Sequence, residues 1–392
     1  MSAAVVVAGV GMHVFGRFPE ESLKDLARVA VVRALDDAGL GVKEIDAVYS
    51  ANAMAGLLQG QEQIRGQTVL REVGLERIPV VNVENACASG STALREAIMV
   101  LRAGAAERVL AVGFEKMFVE DRDRSLAALE SAADLDVVGG LGLQFTAVYA
   151  MRLRKRLDEG TLAFDDLVDV TLKSHQNGAR NPYAQFRREL TEKEVKSARR
   201  IADPLTLPMC SAIADGAAAV VLARADTAPS RGRARVLVRA SQSVSGFTTD
   251  GSPEPSATTL CARRAYEEAG IAPNEVEVAE VHDAMAPGEL LYYEQLGFCQ
   301  AGGASELLAT GATRIGGRIA VNTSGGLCSR GHPVAATGLA QIAELTWQLR
   351  GEAGERQSGR PRIALAQNSG GWLEGESATS NVHILERADR WP

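Results

Sequence analysis

The stretch Val80-Val81-Asn82-Val83-Glu84-Asn85-Ala86-Cys87-Ala88-Ser89-Gly90-Ser91-Thr92-Ala93-Leu94 carries the strongest structural signal in the chain. It begins with a short β-branched run that is typical of a buried strand. Small residues surround Cys87, and apolar residues then recur at helical spacing as far as Gly104, a common type of helix terminator. The pattern therefore predicts a strand, a tight turn that carries the cysteine, and a helix.

Cys87 is the first candidate for chemistry. We expect it at the N-terminus of the predicted helix, where free amide N–H groups and the helix dipole favour a negative charge. Such an environment lowers the pKa of a thiol and raises its thiolate fraction. A buried structural cysteine is the alternative interpretation of the same stretch.

Composition and charge limit the classes of function that the chain can have. The 392 residues are 46% hydrophobic and 23% charged, which is typical of a globular protein with a sizeable core. The net charge of −7 argues against a nucleic-acid partner. No apolar run approaches the roughly 18 residues of a membrane span, and no signal peptide is recognisable. The cysteines show no paired spacing, which predicts a reducing, cytoplasmic location and no metal site. They are Cys87, Cys210, Cys261, Cys299 and Cys328.

An internal repeat indicates duplication. The segment Ala34–Leu40 is matched by Ala265–Ile271, and each is followed by a short turn and an apolar strand. The strand before Cys87 is echoed by Ala320–Asn322, which precedes His332. The same order of elements in both parts predicts a duplicated α/β fold.

The repeat also suggests domain boundaries. We expect an N-terminal half over residues 1–226 and a C-terminal half over residues 235–392. Near-continuous apolar strands favour central, mostly parallel sheets covered by helices. Strand–helix alternation lapses over residues 116–208, which indicates an insertion of functional or interfacial use. Its basic residues could face the phosphates of a coenzyme or form a solvated surface.

Two histidines occupy positions that the repeat brings close to Cys87. His332 follows one strand, and His282 ends the strand Val276–Val281. Loops at the same end of adjacent α/β sheets often form a ligand site. Cys–His nucleophilic catalysis would use these groups, although a hydrogen-bonded structural role is the alternative. The other histidines are expected to be structural: His13, His175 and His383.

At these residues the chain resembles a thiolase, specifically the thiolase domain of the sterol-carrier-protein type, also called lipid-transfer-protein thiolases. The resemblance spans nearly the whole length and includes several spaced motifs in the same order. They are Asn85–Gly90, Asn181–Ala184, Asp215–Val220, Val281–Asp283, Asn322–Gly326 and Gly331–Gly338.

The resemblance implies a thiolase fold, which is a five-layered αβαβα arrangement with two mixed sheets and an inserted loop domain that covers coenzyme A. It also implies a homodimer or homotetramer, a coenzyme A thioester as substrate, and no separate cofactor. Cys87 would be the acylated nucleophile and His332 its base. His282 would join His332 in binding the thioester oxygen. Backbone N–H groups of Cys87 and Gly370 would hold the oxyanion.

One expected residue is missing. Related thiolases use a second cysteine as acid/base, and in the sterol-carrier-protein type it stands in a His-Asp-Cys-Phe motif. This chain has Ala284 after His282-Asp283, and residues 367–377 contain no cysteine. The remaining candidates, for each of which a structural or solvated role is favoured, are Cys328, Asp283, Glu374 and Glu376.

Three functions therefore stay open. The first is an acyl-CoA C-acyltransferase that forms an acyl-enzyme on Cys87. The second is a retro-aldol lyase that acts on β-hydroxyacyl-CoA side chains with a small acyl-CoA-binding partner protein. The missing cysteine favours the lyase, and the presence of Cys87 argues against it. The third is a non-catalytic lipid-binding subunit, which the combination of Cys87, His282 and His332 disfavours.

Overall fold

The computed structural model describes residues 3–142, 144–247 and 256–388. The strands are β1 (Val5–Met12), β2 (Ala47–Ala51), β3 (Val80–Val83), β4 (Arg108–Lys116), β5 (Arg200–Ala202), β6 (Leu205–Thr206), β7 (Asp215–Arg224), β8 (Arg235–Ser245), β9 (Val278–Glu280), β10 (Ala320–Val321), β11 (Ile363–Gly370) and β12 (Thr379–Ala388). The helices are α1 (Leu23–Ala38), α2 (Ala55–Gln59), α3 (Arg65–Leu70), α4 (Ser89–Arg102), α5 (Arg122–Glu130), α6 (Leu135–Val138), α7 (Phe145–Asp158), α8 (Phe164–Ala179), α9 (Glu192–Ser197), α10 (Ala257–Ala269), α11 (Gly288–Gln295), α12 (Ala304–Ala309), α13 (Gly326–Arg330) and α14 (Thr337–Arg350).

The strands of the two halves have equivalent orders. One half runs β3-β2-β4-β7-β1 and the other β10-β9-β11-β12-β8. A short antiparallel contact between β1 and β8 joins them into a ten-stranded sheet. In each half one strand has parallel neighbours on both sides, while the last two strands pair antiparallel. The duplicated α/β fold with mixed sheets is confirmed, and the expectation of mostly parallel pairing was wrong for these last strands.

Helices cover and separate the two halves of the sheet. Helix α1 packs on β1, β4 and β7, and α10 packs on β8 and β12. Helices α4 and α14 share one apolar cluster with strands of both halves, so they form the middle layer. Almost every residue of α14 is buried, as a helix covered on both sides requires. This arrangement is the five-layered αβαβα fold.

The ends of the outer helices show why the repeated segments fold alike. Ser22 is the N-cap residue of α1, and its side chain forms a reciprocal capping box with Asp25. Ser256 is the N-cap residue of α10, and its side chain caps the first turn. Gly39 and Gly270 end the two helices with φ values of 70° and 66°, in the left-handed region that glycine enters without strain.

The insertion between β4 and β7 is tied to the loop that carries His332. The backbone N–H groups of Gln185 and Phe186 donate to the carbonyls of Arg330 and Ser329, at 2.9 and 3.0 Å. The Asn181 side chain also donates to the carbonyl of Ser324 at 2.8 Å. The segment of residues 181–186 therefore fixes the position of this loop.

Across the described ranges, no helix has the length and apolar character needed to span a membrane.

Two glycines, one on β4 and one on α4, let the first half of the chain approach the segment that precedes α14 in the second half. A Cβ atom added at Gly113 would lie 2.2 Å from the carbonyl oxygen of Ala335, and one at Gly90 would lie 2.4 Å from the same atom. Real Cβ atoms do not come so close to backbone oxygen, so a side chain at either position would push the Ala335 carbonyl away from β4 or α4.

We expect Gly113→Ala to lower the free energy of unfolding by about 2–3 kcal/mol, because overpacking strains backbone on both sides of the contact. Urea unfolding followed by circular dichroism measures the change. Gly41→Ala is the matched control, since its Cβ would meet nothing closer than 3.8 Å. Equal stability of the two variants would contradict this interpretation.

His383 on β12 is fully buried, with Nδ1 3.0 Å from the hydroxyl of Ser241. Burial lowers its pKa from 6.5 to about 3. The unfolded chain therefore binds a proton below pH 6.5 that the folded chain excludes, so this residue destabilises the fold as the pH falls.

We expect His383→Asn to flatten the acid dependence of stability by about 1.4 kcal/mol per pH unit between pH 6 and 4. The substitution also changes the free energy of unfolding by an amount that does not depend on pH. The informative quantity is therefore the slope of the free energy of unfolding against pH. Urea unfolding across this pH range measures it. Parallel curves for the variant and the unchanged chain would rule out the proposed contribution.

Candidate active site

A cavity of about 790 Å³ lies between the insertion and the loops that follow strands of both halves. Cys87, His282 and His332 all line it. Much of the remaining wall is apolar, with aromatic side chains such as Phe118, Phe145 and Trp372. A concave, mostly apolar site with a few convergent polar groups is the usual form of a small-molecule pocket.

The turn that carries Cys87 follows β3 as the sequence predicts. Residues Ala86–Ala88 form a 3₁₀ turn, and α4 begins at Ser89. The Ser89 hydroxyl donates to the carbonyl of Ala86 at 2.6 Å and accepts from the N–H of Asn85 at 2.9 Å. Ala86 has a φ of 49°, a left-handed conformation that is strained for a residue with a Cβ atom. The turn is thus held in one shape by its own hydrogen bonds.

The structure brings the three predicted residues together. The sulfur of Cys87 and one ring nitrogen each from His282 and His332 lie within 4.8 Å of one another. The two imidazole rings meet edge to face, with 5.2 Å between their centroids. These residues come from three distant segments, and their convergence is the central feature of the cavity floor.

The proton position on His332 follows from its neighbours. Its Nδ1 lies 2.7 Å from the Thr337 hydroxyl, which itself donates to the carbonyl of Pro333 at 3.0 Å. The hydroxyl has one proton, so Nδ1–H donates to it and Nε2 keeps its lone pair. Burial, with the neighbouring His282 and Arg330, holds the pKa of His332 well below its usual range. The ring is therefore a neutral base.

His282 has the opposite arrangement. The Asn368 side-chain amide donates to its Nδ1 at 2.9 Å, which leaves the proton of the neutral ring on Nε2. Burial, with the positive charge of Arg330, lowers the pKa of His282 to about 3. One imidazole can therefore accept a proton while the other donates a hydrogen bond.

The thiol of Cys87 differs from the sequence-based expectation. Burial and the negative charge of Glu115 raise its pKa to about 12, although backbone N–H groups of Cys87 and Gly371 act in the opposite direction. The predicted lowering by the helix N-terminus was wrong, because desolvation outweighs the amide groups. The sulfur is a thiol at neutral pH and needs a base.

Gly370 ends β11 directly against the Cys87 turn. A Cβ atom there would lie 2.2 Å from the carbonyl oxygen of Asn85 and 2.7 Å from the N–H nitrogen of Ala88. Gly370 lines the cavity, and the N–H that acts on the thiol is that of Gly371. The oxyanion role of Gly370 stays a prediction.

Of the residues that the sequence offers as a second acid/base, one lines the cavity and the others lie elsewhere. Ala284 and Cys328 line the cavity, and the Cys328 thiol faces the carbonyls of Met209 and Asp283 at 3.3 and 3.6 Å. Burial raises the pKa of Cys328 well above its usual value. Asp283 is buried behind the wall, and Glu374 lies on an exposed loop with Glu376 beside it. Of the predicted substitutes, Cys328 alone reaches the cavity.

Sequence reasoning missed several residues of the site. Thr337 and Asn368 determine the tautomers of the two histidines. In the sequence their segments stand out for other reasons, the first as a thiolase-like motif and the second for its lack of a cysteine. Tyr149 lines the cavity, with its hydroxyl 3.3 Å from that of Tyr292. Tyr149 lies on α7, and the sequence pattern does not show which face of this helix meets a cavity. The close packing of Tyr149 on Gly288 is visible only in three dimensions.

Three arginines of or near the insertion also line the cavity: Arg17, Arg152 and Arg188. The guanidinium carbon of Arg17 lies 3.7 Å from the centroid of the Phe118 ring, in a cation–π contact. Positive charge therefore accompanies a wall that is largely apolar and that also includes Glu120 and several neutral polar side chains.

Known proteins match the chain along its length. The family model described as the thiolase N-terminal domain matches residues 5–226, and the one described as thiolase C-terminal domain-like matches residues 241–387. An acetyl-CoA acetyltransferase from Methanothermobacter thermautotrophicus is 39% identical, over 98% of this chain and 99% of its own length. Sterol carrier protein 2 from Homo sapiens is 34% identical, over 93% of this chain and 70% of its own length.

Two further similarities concern particular activities. The benzoylsuccinyl-CoA thiolase subunit BbsB from Thauera aromatica is 33% identical, over 94% of each chain. The solved structure of an Ltp2-ChsH2(DUF35) aldolase superposes with a TM-score of 0.80 at 25% identity, over 99% of this chain and 98% of that chain. The relatives' names agree with the acyltransferase class that the sequence predicts. With both family models matched and the five-layered fold present, the chain belongs to the thiolase family.

Proposed function

We propose that this protein is an acyl-CoA C-acyltransferase that forms an acyl-enzyme on Cys87 from a coenzyme A thioester. The observation that carries the proposal is the grouping of the Cys87 thiol with two neutral imidazoles of complementary tautomer. One ring can take the thiol proton while the other donates to the substrate oxygen.

The first step is acyl transfer to sulfur. The lone pair on Nε2 of His332 accepts the thiol proton as the sulfur attacks the thioester carbonyl. The tetrahedral intermediate collapses, the bond to the coenzyme A sulfur breaks, and the imidazolium returns its proton to that leaving thiolate. Thr337 keeps the ring in the tautomer that this step requires.

Hydrogen-bond donors stabilise the oxygen of the thioester. The Nε2–H of His282 is one donor, and the backbone N–H groups near the Cys87 turn are the others. Donors that are fixed before the reaction act strongly in a site from which water is excluded. The close approach of Gly370 to this turn supports the proposal that its N–H group is one of these donors.

The cavity suits a substrate with an apolar acyl group and an anionic carrier. Apolar side chains can bury the acyl and pantetheine parts, while Arg17, Arg152 and Arg188 can attract coenzyme A phosphates. The proposed chemistry uses side chains, backbone amides and the thioester alone. A cytoplasmic location is also proposed, since all five cysteines are free thiols.

A retro-aldol lyase is the second candidate. Two observations favour it: the absence of a second cysteine where Ala284 stands, and the similarity to the Ltp2-ChsH2(DUF35) aldolase structure. This alternative includes a small acyl-CoA-binding partner protein. It predicts that aldehyde or ketone release from a β-hydroxyacyl-CoA persists after removal of the Cys87 sulfur.

We also propose a homodimer as the minimal assembly. Strand β3 forms one edge of the ten-stranded sheet, and its Val81 side chain is 43% exposed. Met99 on the adjoining α4 is 42% exposed. An exposed apolar edge strand is a natural site for pairing with a second chain.

Incubation with acetyl-CoA should add one acetyl group to the protein, detected by intact mass and located on Cys87 by peptide mass. Cys87→Ala should abolish the adduct, and His332→Gln should slow its formation about 100-fold or more, because the thiol loses its base. Cys210→Ser, a cavity-lining thiol outside the cluster, should acylate normally.

An adduct that forms at the same rate in Cys87→Ala would refute acylation at this residue. Ketone or aldehyde release without any adduct would support the lyase instead.

Val81→Lys should convert a dimer to a monomer in light scattering, because a charge on the edge strand opposes pairing. Val32→Lys is the control, since Val32 is 42% exposed on the outer face of α1. A dimer that survives Val81→Lys would place the interface elsewhere.

A further inference from the structure

Within the described residues, one group of three cysteine, histidine or acidic side chains could hold a metal ion: Cys87, His282 and His332. We propose that this cluster binds a single thiophilic divalent cation of the zinc class through the Cys87 sulfur and one nitrogen of each imidazole. The bound ion blocks acylation reversibly. This inference goes beyond the proposed function, because the ion inhibits the site and takes no part in its chemistry.

The ligand set suits zinc. One thiolate and two imidazoles are borderline-soft donors of the kind found in zinc sites that keep an open position. Zn–S and Zn–N bonds of about 2.3 and 2.1 Å put tetrahedral donors roughly 3.3–3.6 Å apart. The donors here lie within 4.8 Å of one another, so rotations that move each side chain by about 1 Å suffice. The fourth position faces the cavity and is open to water.

Residues behind the rings orient both imidazoles. Metal-binding histidines normally hydrogen-bond through the ring nitrogen that does not meet the metal, and loss of that bond weakens binding. Thr337 bonds Nδ1 of His332, so its Nε2 presents a lone pair to a ligand, and Asn368 bonds Nδ1 of His282, whose Nε2 carries the ring proton in this amide orientation.

A buried polar atom at Asn368 supports the proposal independently. Its side chain is fully buried, and its Oδ1 has no hydrogen-bond partner among the described residues. If the amide turns over, Oδ1 accepts a proton from Nδ1 of His282, and Nε2 then presents a lone pair to the metal. One amide orientation thus prepares His282 as a hydrogen-bond donor for substrate, and the other prepares it as a metal ligand.

The charged groups around the cluster are compatible with a bound cation. The guanidinium of Arg330 is the main opposing charge, and Glu280 pairs with it at 3.1 Å. Binding removes the Cys87 proton to solvent as the Zn–S bond forms, so the thiolate offsets one charge of the ion. Both imidazoles are already neutral, as ligands must be.

Metal and acyl group compete for the same atom. The sulfur of Cys87 cannot form a thioester while its lone pair is held by the ion, and an acylated sulfur is a poor ligand. Inhibition by zinc should therefore be competitive with acyl-CoA and relieved by a chelator.

Cobalt(II) alone is the first probe, because it replaces zinc and its thiolate complexes absorb light. The purified, chelator-treated protein should bind one Co²⁺ per chain and develop a thiolate-to-cobalt charge-transfer band that added Zn²⁺ removes. Cys87→Ser should lose the band, and His282→Ala should weaken Zn²⁺ binding in calorimetry at least 10-fold.

Two further sets of variants separate this cluster from other sites. Cys210→Ser and His175→Gln alter other potential ligands in the same cavity, and both should bind Zn²⁺ as the unchanged chain does. Thr337→Val keeps all three ligands, and it should weaken Zn²⁺ binding about 10- to 100-fold through loss of the outer hydrogen bond. Circular dichroism confirms that each variant is folded.

Absence of the charge-transfer band, or Zn²⁺ affinity that is unchanged in Cys87→Ser and His282→Ala, would overturn the proposal. Acylation by acetyl-CoA in the presence of a chelator is measured separately. The metal site and the acyltransferase function can therefore fail independently.

Discussion

The site depends on one close contact between the two halves of the chain. The carbonyl of Ala335 lies where a Cβ atom of Gly90 or Gly113 would otherwise stand. This contact brings the start of α14 against the start of α4, so the loop before α14 and the turn before α4 open into the same cavity. Other contacts between the halves, of α14 with β7 and of β1 with β8, hold the layers together around it.

Desolvation then determines the protonation state of every reactive group. Burial raises the pKa of the Cys87 thiol to about 12 and lowers that of His282 to about 3. Both changes favour neutral forms, so the resting site holds a thiol and two uncharged rings. Reactivity must come from proton transfer during attack, and the fixed tautomers of the rings determine its direction. Thr337 and Asn368 therefore matter as much as the residues they orient.

Much of the fold could be predicted from the sequence, since long apolar runs and glycine-terminated helices repeat in the same order. Strand β12 escaped prediction because buried polar residues such as Asn381 and His383 interrupt its apolar pattern. The Cys87 turn was predicted from small residues after a strand, but the predicted direction of the pKa shift of its thiol was wrong. The pKa rises through desolvation in the cavity beside the insertion and through the charge of Glu115 on β4, and no local pattern reveals either. Tyr149 was missed because, in the sequence pattern alone, an aromatic residue that faces a cavity cannot be told from one that faces the core.

The segment of residues 181–186 joins the insertion to the loop that ends in His332, through backbone hydrogen bonds at Gln185 and Phe186 and one bond from the Asn181 side chain. Main-chain bonds do not depend on the identity of the side chains they connect. Substitutions on the outer surface of the insertion can therefore change the shape of the cavity entrance, and with it the substrates that enter. His332 keeps its position, because the bonds that hold its loop stay the same.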